Sequence, residues 1–124
     1  MAANKITISH GLSFSSSTDR VSLSLTGSDT FDQIGNNYVL TTQNLTAGAW
    51  TAIYIDGITT LGALFVKNLD ATNYIQLATA NDNSGIFGRL NAGKSGLVAI
   101  ETGATYYVRA NTGNLTIAIL AIEL

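Results

Sequence analysis

Hydrophobic and polar residues alternate along most of this chain, and the period is two. In RVSLSLTG (20–27), Val21, Leu23 and Leu25 fall on one side and Ser22, Ser24 and Thr26 on the other. That is the pattern of a strand with one packed and one wet face. KITIS (5–9) repeats it over a shorter span with Ile6 and Ile8. NYVLTTQNL (37–45) is rich in β-branched and aromatic residues, and AWTAIYIDG (49–57) closes on the turn pair Asp56-Gly57. The second half holds GALFVKN (62–68), NYIQLATA (73–80), IFGRL (86–90), GLVAIE (96–101), TYYVRA (105–110) and LTIAILAIEL (115–124). Between these runs lie NLDATN, NDNSG, NAGKSG, ETGA and NTGN, segments whose Asn and Gly supply the backbone angles of tight turns.

Eight or more short strands at a spacing of about ten residues, with no crossover helix, predict an all-β fold. The expected architecture is an antiparallel β-sandwich of jelly-roll type. An immunoglobulin-like sandwich is the competitor, without the Cys…Trp…Cys frame of that fold. The stretch GLSFSSSTD (11–19) is serine-rich and reads as a linker or arm that orders on contact with a neighbour. The expected division is therefore a short strand and arm over 1–19, and one sandwich domain over 20–124. LTIAILAIEL is apolar on both faces: Ile117, Ile119 and Ala121 on one, Ala118, Leu120 and Ile122 on the other. Such a strand is central in a sandwich or covered by another subunit. The candidate subunit interface is Ile117, Ile119, Leu120 and Ile122, with Tyr106 and Tyr107.

Composition narrows the function classes. The 124 residues suit one domain of ordinary size, and Lys, Arg, Asp and Glu make up only 11% of them, against about 25% in ordinary soluble domains. Polarity is carried by Thr, Ser, Asn and Gly, which suits surfaces stacked against other protein, where an unpaired charge is costly. A net charge of -2 without a basic stripe gives no reason to expect nucleic acid as a partner. No apolar run reaches the roughly 18 residues of a membrane helix, and MAANKITISHG has no signal-peptide core. With no cysteine and one histidine, His10, neither a thiolate nor a His-cluster metal site is expected, and a Ser-His-Asp triad would have to use His10. No cofactor and no catalytic residues are expected, and the chain reads as a non-enzyme.

Local motifs give weaker leads. Asp29 and Asp32 are a carboxylate pair with nothing to place them across a cleft. Asn81-Asp82-Asn83-Ser84-Gly85 is a polar turn that lacks the closing acid of a calcium loop. GRLNAGKS (88–95) fits the phosphate-loop spelling, but a strand follows it where that motif needs a helix. Trp50, Tyr54, Tyr74, Tyr106 and Tyr107 could build a sugar-stacking shelf or simply pack in a core. Asn44-Leu45-Thr46 and Asn114-Leu115-Thr116 spell glycosylation sequons, without meaning in the absence of a secretory signal.

The second half resembles small β-sandwich proteins of tailed-bacteriophage virions. The resemblance rests on GALFVKNLDATNYIQLA (62–78), GRLNAGKSGLVAIETGATYYVRA (88–110) and the closing LTIAILAIEL. In such proteins a strand ending in "NLD" precedes "TNYI", a glycine turn precedes a "GLVAI"-like strand, and an aromatic strand leads into an apolar last one. The resemblance covers about half of the chain and does not extend to 1–60. The resemblance implies a jelly-roll structural protein of the virion. Its expected form is a homotrimeric capsid decoration or cement protein that binds the major capsid protein or other virion proteins. A tail- or fibre-associated receptor- or carbohydrate-binding module is the alternative. The N-terminal arm would reach the shell.

Overall fold

The computed structural model describes residues 4–18, 20–33, 35, 37–99 and 105–123. These residues form ten strands in three antiparallel sheets, with one short 3-10 turn and no α-helix. The chain divides into two compact units, 1–34 and 35–124.

The first unit is a long two-stranded hairpin, β1 (Asn4–Ser16) and β2 (Val21–Gln33), paired without a slip from Asn4↔Gln33 to Ser16↔Val21. The serine-rich stretch expected as a linker is thus the outer half of a 13-residue strand. Its serines alternate with Leu12 and Phe14 at the strand period, and the partner that stabilises it, 21–26, follows a short turn. Arg20 in that turn has φ 54°, a region few side chains other than Asn and Asp enter. Residues 21–27 pair with β1 in this ladder, and the first compact unit runs to residue 34.

The second unit has strands β3 (Tyr38–Leu45), β4 (Thr51–Ala52), β5 (Leu61–Asn68), β6 (Ile75–Ala78), β7 (Ile86–Leu90), β8 (Ser95–Ala99), β9 (Tyr107–Ala110) and β10 (Leu115–Glu123). One four-stranded sheet runs β3-β10-β5-β8 and the other β4-β9-β6-β7. Side chains of both sheets meet in a single core that includes Leu64, Val66, Ile75, Val108, Ile117 and Ile119. In β10 the odd positions Leu115, Ile117, Ile119 and Ala121 are buried while Leu120 is exposed. Full burial of residues such as Ile117 and Ile119 is worth about 1.5–3 kcal/mol each.

Turn chemistry closes the strands. Gly93 (φ 72°) and Gly113 (φ 67°) supply left-handed backbone between β7 and β8 and between β9 and β10. Only two residues of AWTAIYIDG are strand, because the Gln43 side chain takes over the ladder there. Its amide nitrogen donates to the Ala52 carbonyl at 3.0 Å, and its oxygen accepts from the Tyr54 N–H at 2.9 Å. The expected ETGA turn at 101–104, the Ile100-Glu101 strand end before it, and Leu124 lie outside the described residues.

Candidate functional site

Shallow, open depressions lie along the hairpin, lined by residues such as His10, Gly11, Leu12, Leu25 and Thr26. The described residues hold no group of three or more His, Cys, Asp or Glu side chains able to share a metal. Three surfaces stand out among the described residues.

The first is the outer face of the β3-β10-β5-β8 sheet. Register places Leu40 beside Leu120, Leu120 beside Phe65, and Phe65 beside Leu97. One row of large apolar side chains thus crosses all four strands on the side away from the core. Leu40 is 75% exposed, and Phe65, Leu97 and Leu120 are all partly open to solvent. Tyr38 on β3, in register with Ile122 on β10, extends the patch. Side chains at adjacent positions across strands touch, so the row is one continuous apolar strip.

The second surface is one face of the hairpin. Leu12 opposes Leu25 and Phe14 opposes Leu23 in register, and all four are more than half exposed. The opposite face pairs Ser13 with Ser24, Ser9 with Ser28 and Thr7 with Thr30. At the base Lys5 forms an ion pair with Asp32. Asp32, one of the two acids considered as a catalytic pair, is held by that lysine on an exposed strand end.

The third surface is the outer face of the β4-β9-β6-β7 sheet. Register aligns Arg89, Gln76 and Arg109 across β7, β6 and β9. The Arg109 guanidinium donates to Gln76 Oε1 at 2.6 Å and to Asn83 Oδ1 at 2.9 Å, and lies 4.7 Å from the Trp50 ring centre. The Trp50 indole donates to the same Asn83 oxygen at 3.0 Å. Arg89 lies 3.6 Å over the Tyr74 ring. These stacked guanidinium groups occupy one face of each ring.

The six residues proposed as a subunit interface separate into two groups. Ile117, Ile119 and Tyr106 are buried in the core of their own chain, where period-two alternation puts the odd positions of β10. Leu120 and Ile122 stand on the opposite face of that strand, and Tyr107 is half-buried on β9. An interface through this strand is left with Leu120 and Ile122. The five aromatics considered as a shelf do not share one surface. Tyr106 packs inward, edge-on to Phe87 with ring centres 6.0 Å apart. Tyr54 is exposed and donates to Asp56, and that hydrogen bond, with the carboxylate's charge behind it, raises the phenol above its ordinary pKa.

The remaining motifs are turns. Asp82 caps the 3-10 turn at Asn83–Gly85 by accepting from the Ser84 N–H at 2.7 Å, and its hydrogen bonds from the Ser84 hydroxyl and N–H hold its pKa down. GRLNAGKS runs from strand β7 through a turn into strand β8, with the Lys94 N–H donating to the Asn91 carbonyl. The "NLD…TNYI" motif is a hydrogen-bonded knot. Asn68, fully buried, donates to the Asn73 and Leu90 carbonyls and accepts from the Asp70 N–H. Asp70 accepts from the Asn73 and Thr72 N–H groups, and those bonds lower its pKa. Sequence reading missed the Leu40–Leu120–Phe65–Leu97 row, since strand pairing brings together residues up to 80 positions apart. Compared with protein-family models, with curated proteins and with solved structures, the chain gives no significant match.

Proposed function

We propose that this chain is a non-enzymatic structural protein of a tailed-phage virion, a capsid decoration or cement protein that works as a homotrimer on the major capsid protein or its neighbours. The observation that carries the reading is the apolar row Leu40–Leu120–Phe65–Leu97 on an otherwise complete sheet. A rimmed apolar strip on a folded domain marks a protein contact, and contacts of this kind hold neighbouring shell subunits together without a pocket or acid pair. A jelly-roll connectivity goes with the reading. Lettering β3 to β10 as B to I turns the two sheet orders into B-I-D-G and C-H-E-F, an order that supports that fold, one that recurs in viral capsid and lectin domains. The sequence resemblance of the second half supplies the virion context.

Light scattering of the purified protein, followed by co-sedimentation with capsids, tests the proposal. A trimer that pellets with capsids is the expected result. A monomer that stays in the supernatant overturns it. The second reading, a tail- or fibre-associated receptor- or carbohydrate-binding module, has its support in the Arg89–Gln76–Arg109 row with Trp50 and Tyr74. It predicts specific glycan binding that Arg109→Ala abolishes.

A further inference from the structure

The hairpin carries an unresolved physical problem. An isolated two-stranded ribbon is marginal in water, yet this one extends both strands to 13 residues. Its outer half leaves Leu12 77%, Leu25 79%, Leu23 61% and Phe14 57% exposed on one face. Together they open on the order of 500 Å² of apolar surface, the size of the largest patch on a typical monomer. Both long edges of the ribbon are also without a strand partner among the described residues. Proteins guard such edges with Lys, Glu, Pro or bulges. Here 6–18 and 21–28 contain no Asp, Glu, Lys, Arg or Pro, and the pairing runs without a bulge.

The occupant of this surface must therefore be uncharged, apolar on one face, and able to offer strand edges of equal length. A second copy of the same hairpin meets all three conditions. Two hairpins stacked face to face would bury on the order of 1,000 Å² in total, short of the roughly 1,600 Å² of a standard stable interface, and would leave all four edges open. Closing two hairpins edge to edge makes a four-stranded tube too narrow for Leu and Phe inside. Three hairpins closed edge to edge pair every edge and turn every apolar face inward, and three is the smallest ring that does both. A bilayer fits less well. The exposed apolar pairs Leu12↔Leu25 and Phe14↔Leu23 lie between His10↔Gly27 and Ser16↔Val21, a band of at most about 20 Å at the strand rise, below the roughly 25 Å of a membrane-barrel belt.

We propose that the hairpins of three copies of this chain close into a six-stranded ring with Leu12, Phe14, Leu23 and Leu25 facing inward and the Ser/Thr face outward. The inference rests on the assembly reading above and deepens it by naming the self-association element. It is tested on the full chain with the double variant Leu12→Ser/Leu25→Ser, followed by light scattering across a concentration series. Trp50, the only tryptophan and part of the second unit, reports by fluorescence whether that unit stays folded. The wild type is expected near three times 13.0 kDa. The double variant is expected to be monomeric, its association weakened by about 100-fold or more, with unchanged Trp50 emission.

Single cysteines give a readout that does not depend on weakening the ring. The chain has no cysteine of its own, so any disulfide joins two copies. Leu12→Cys is expected to oxidise to covalent dimers, and Ser13→Cys, on the outward face, to remain monomeric under the same conditions. A wild-type trimer whose mass survives the double substitution overturns the ring and leaves the assembly reading standing. A wild-type monomer at every concentration overturns both. A dimer, open-ended growth with concentration, or flotation of monomers with phosphatidylcholine–phosphatidylglycerol vesicles overturns the ring.

Discussion

Asn68 shows how much of the sandwich depends on single polar side chains. It is fully buried, yet three of its polar contacts are made inside the chain, to Asn73, Leu90 and Asp70. Replacing it with Leu keeps the volume but leaves two carbonyls and one N–H without that partner. Each stranded buried group costs about 1–3 kcal/mol, so Asn68→Leu is expected to lower stability by about 3 kcal/mol or more in urea titration, and an unchanged midpoint would count against the knot. Glu123 plays a comparable part. It is buried on β10, and its carboxylate accepts from the Asn37 N–H at 3.1 Å and the Thr59 N–H at 3.0 Å. A Cβ on Gly35 would stand 2.1 Å from Glu123 Oε2, so Gly35→Ala must displace the carboxylate. The expected cost is about 1–3 kcal/mol, read from the same titration. Sequence alone showed "NLD…TNYI" as turn-forming letters. That Asn68 points inward depends on the β5–β10 register, which pairs it with Ile117 across nearly fifty positions.

At the scale of elements, the loops after β5 and β6 share one electrostatic device. Asp70 and Asp82 each accept hydrogen bonds from N–H groups two or three residues ahead, and both have folded pKa values below the ordinary one. A carboxylate held low in the folded state binds its proton more readily when unfolded, so stability rises with pH through that window. The stability these turns add is present above about pH 4, the unfolded carboxylate range, and is lost as pH falls through the lower folded values. Asp70→Asn is expected to be less stable at pH 7 and to lose less between pH 4 and pH 2 than the parent; parallel pH curves would rule the device out. Strands were largely legible. The alternation in LTIAILAIEL marks the buried positions of β10, and 86–90 is strand as read. The outer half of β1 was not, because serines alternating with Leu12 and Phe14 resemble a linker until the pairing partner is known. Tyr54 left its ladder because a side chain, Gln43, took the backbone's place.

At the scale of the whole molecule, the two faces of β10 separate folding from docking. Ile119 is 1% exposed and lies in the core, so Ile119→Asp buries an unpaired carboxylate and is expected to unfold the sandwich outright. It therefore tells nothing about assembly. Leu40 and Phe65 lie on the opposite side of the same sheet and are open to solvent. Replacing them with Asp forfeits cross-strand contacts with Leu120 and Leu97, worth about 0.2–1 kcal/mol each. Leu40→Asp/Phe65→Asp is thus expected to lose about 1–2 kcal/mol yet stay folded with the parent's Trp50 emission, since Trp50 packs on the other sheet against Arg109. The two carboxylates would then meet whatever covers the apolar row and lose hydration with no partner. Under the cement reading, co-sedimentation with capsids is expected to fall at least tenfold in apparent affinity while the mass in solution stays that of the parent. Undiminished capsid binding by this folded variant would show that the row is not the docking face. A drop in mass, instead, would place the row between copies of the chain and leave the capsid contact to be sought on the Arg89–Gln76–Arg109 side.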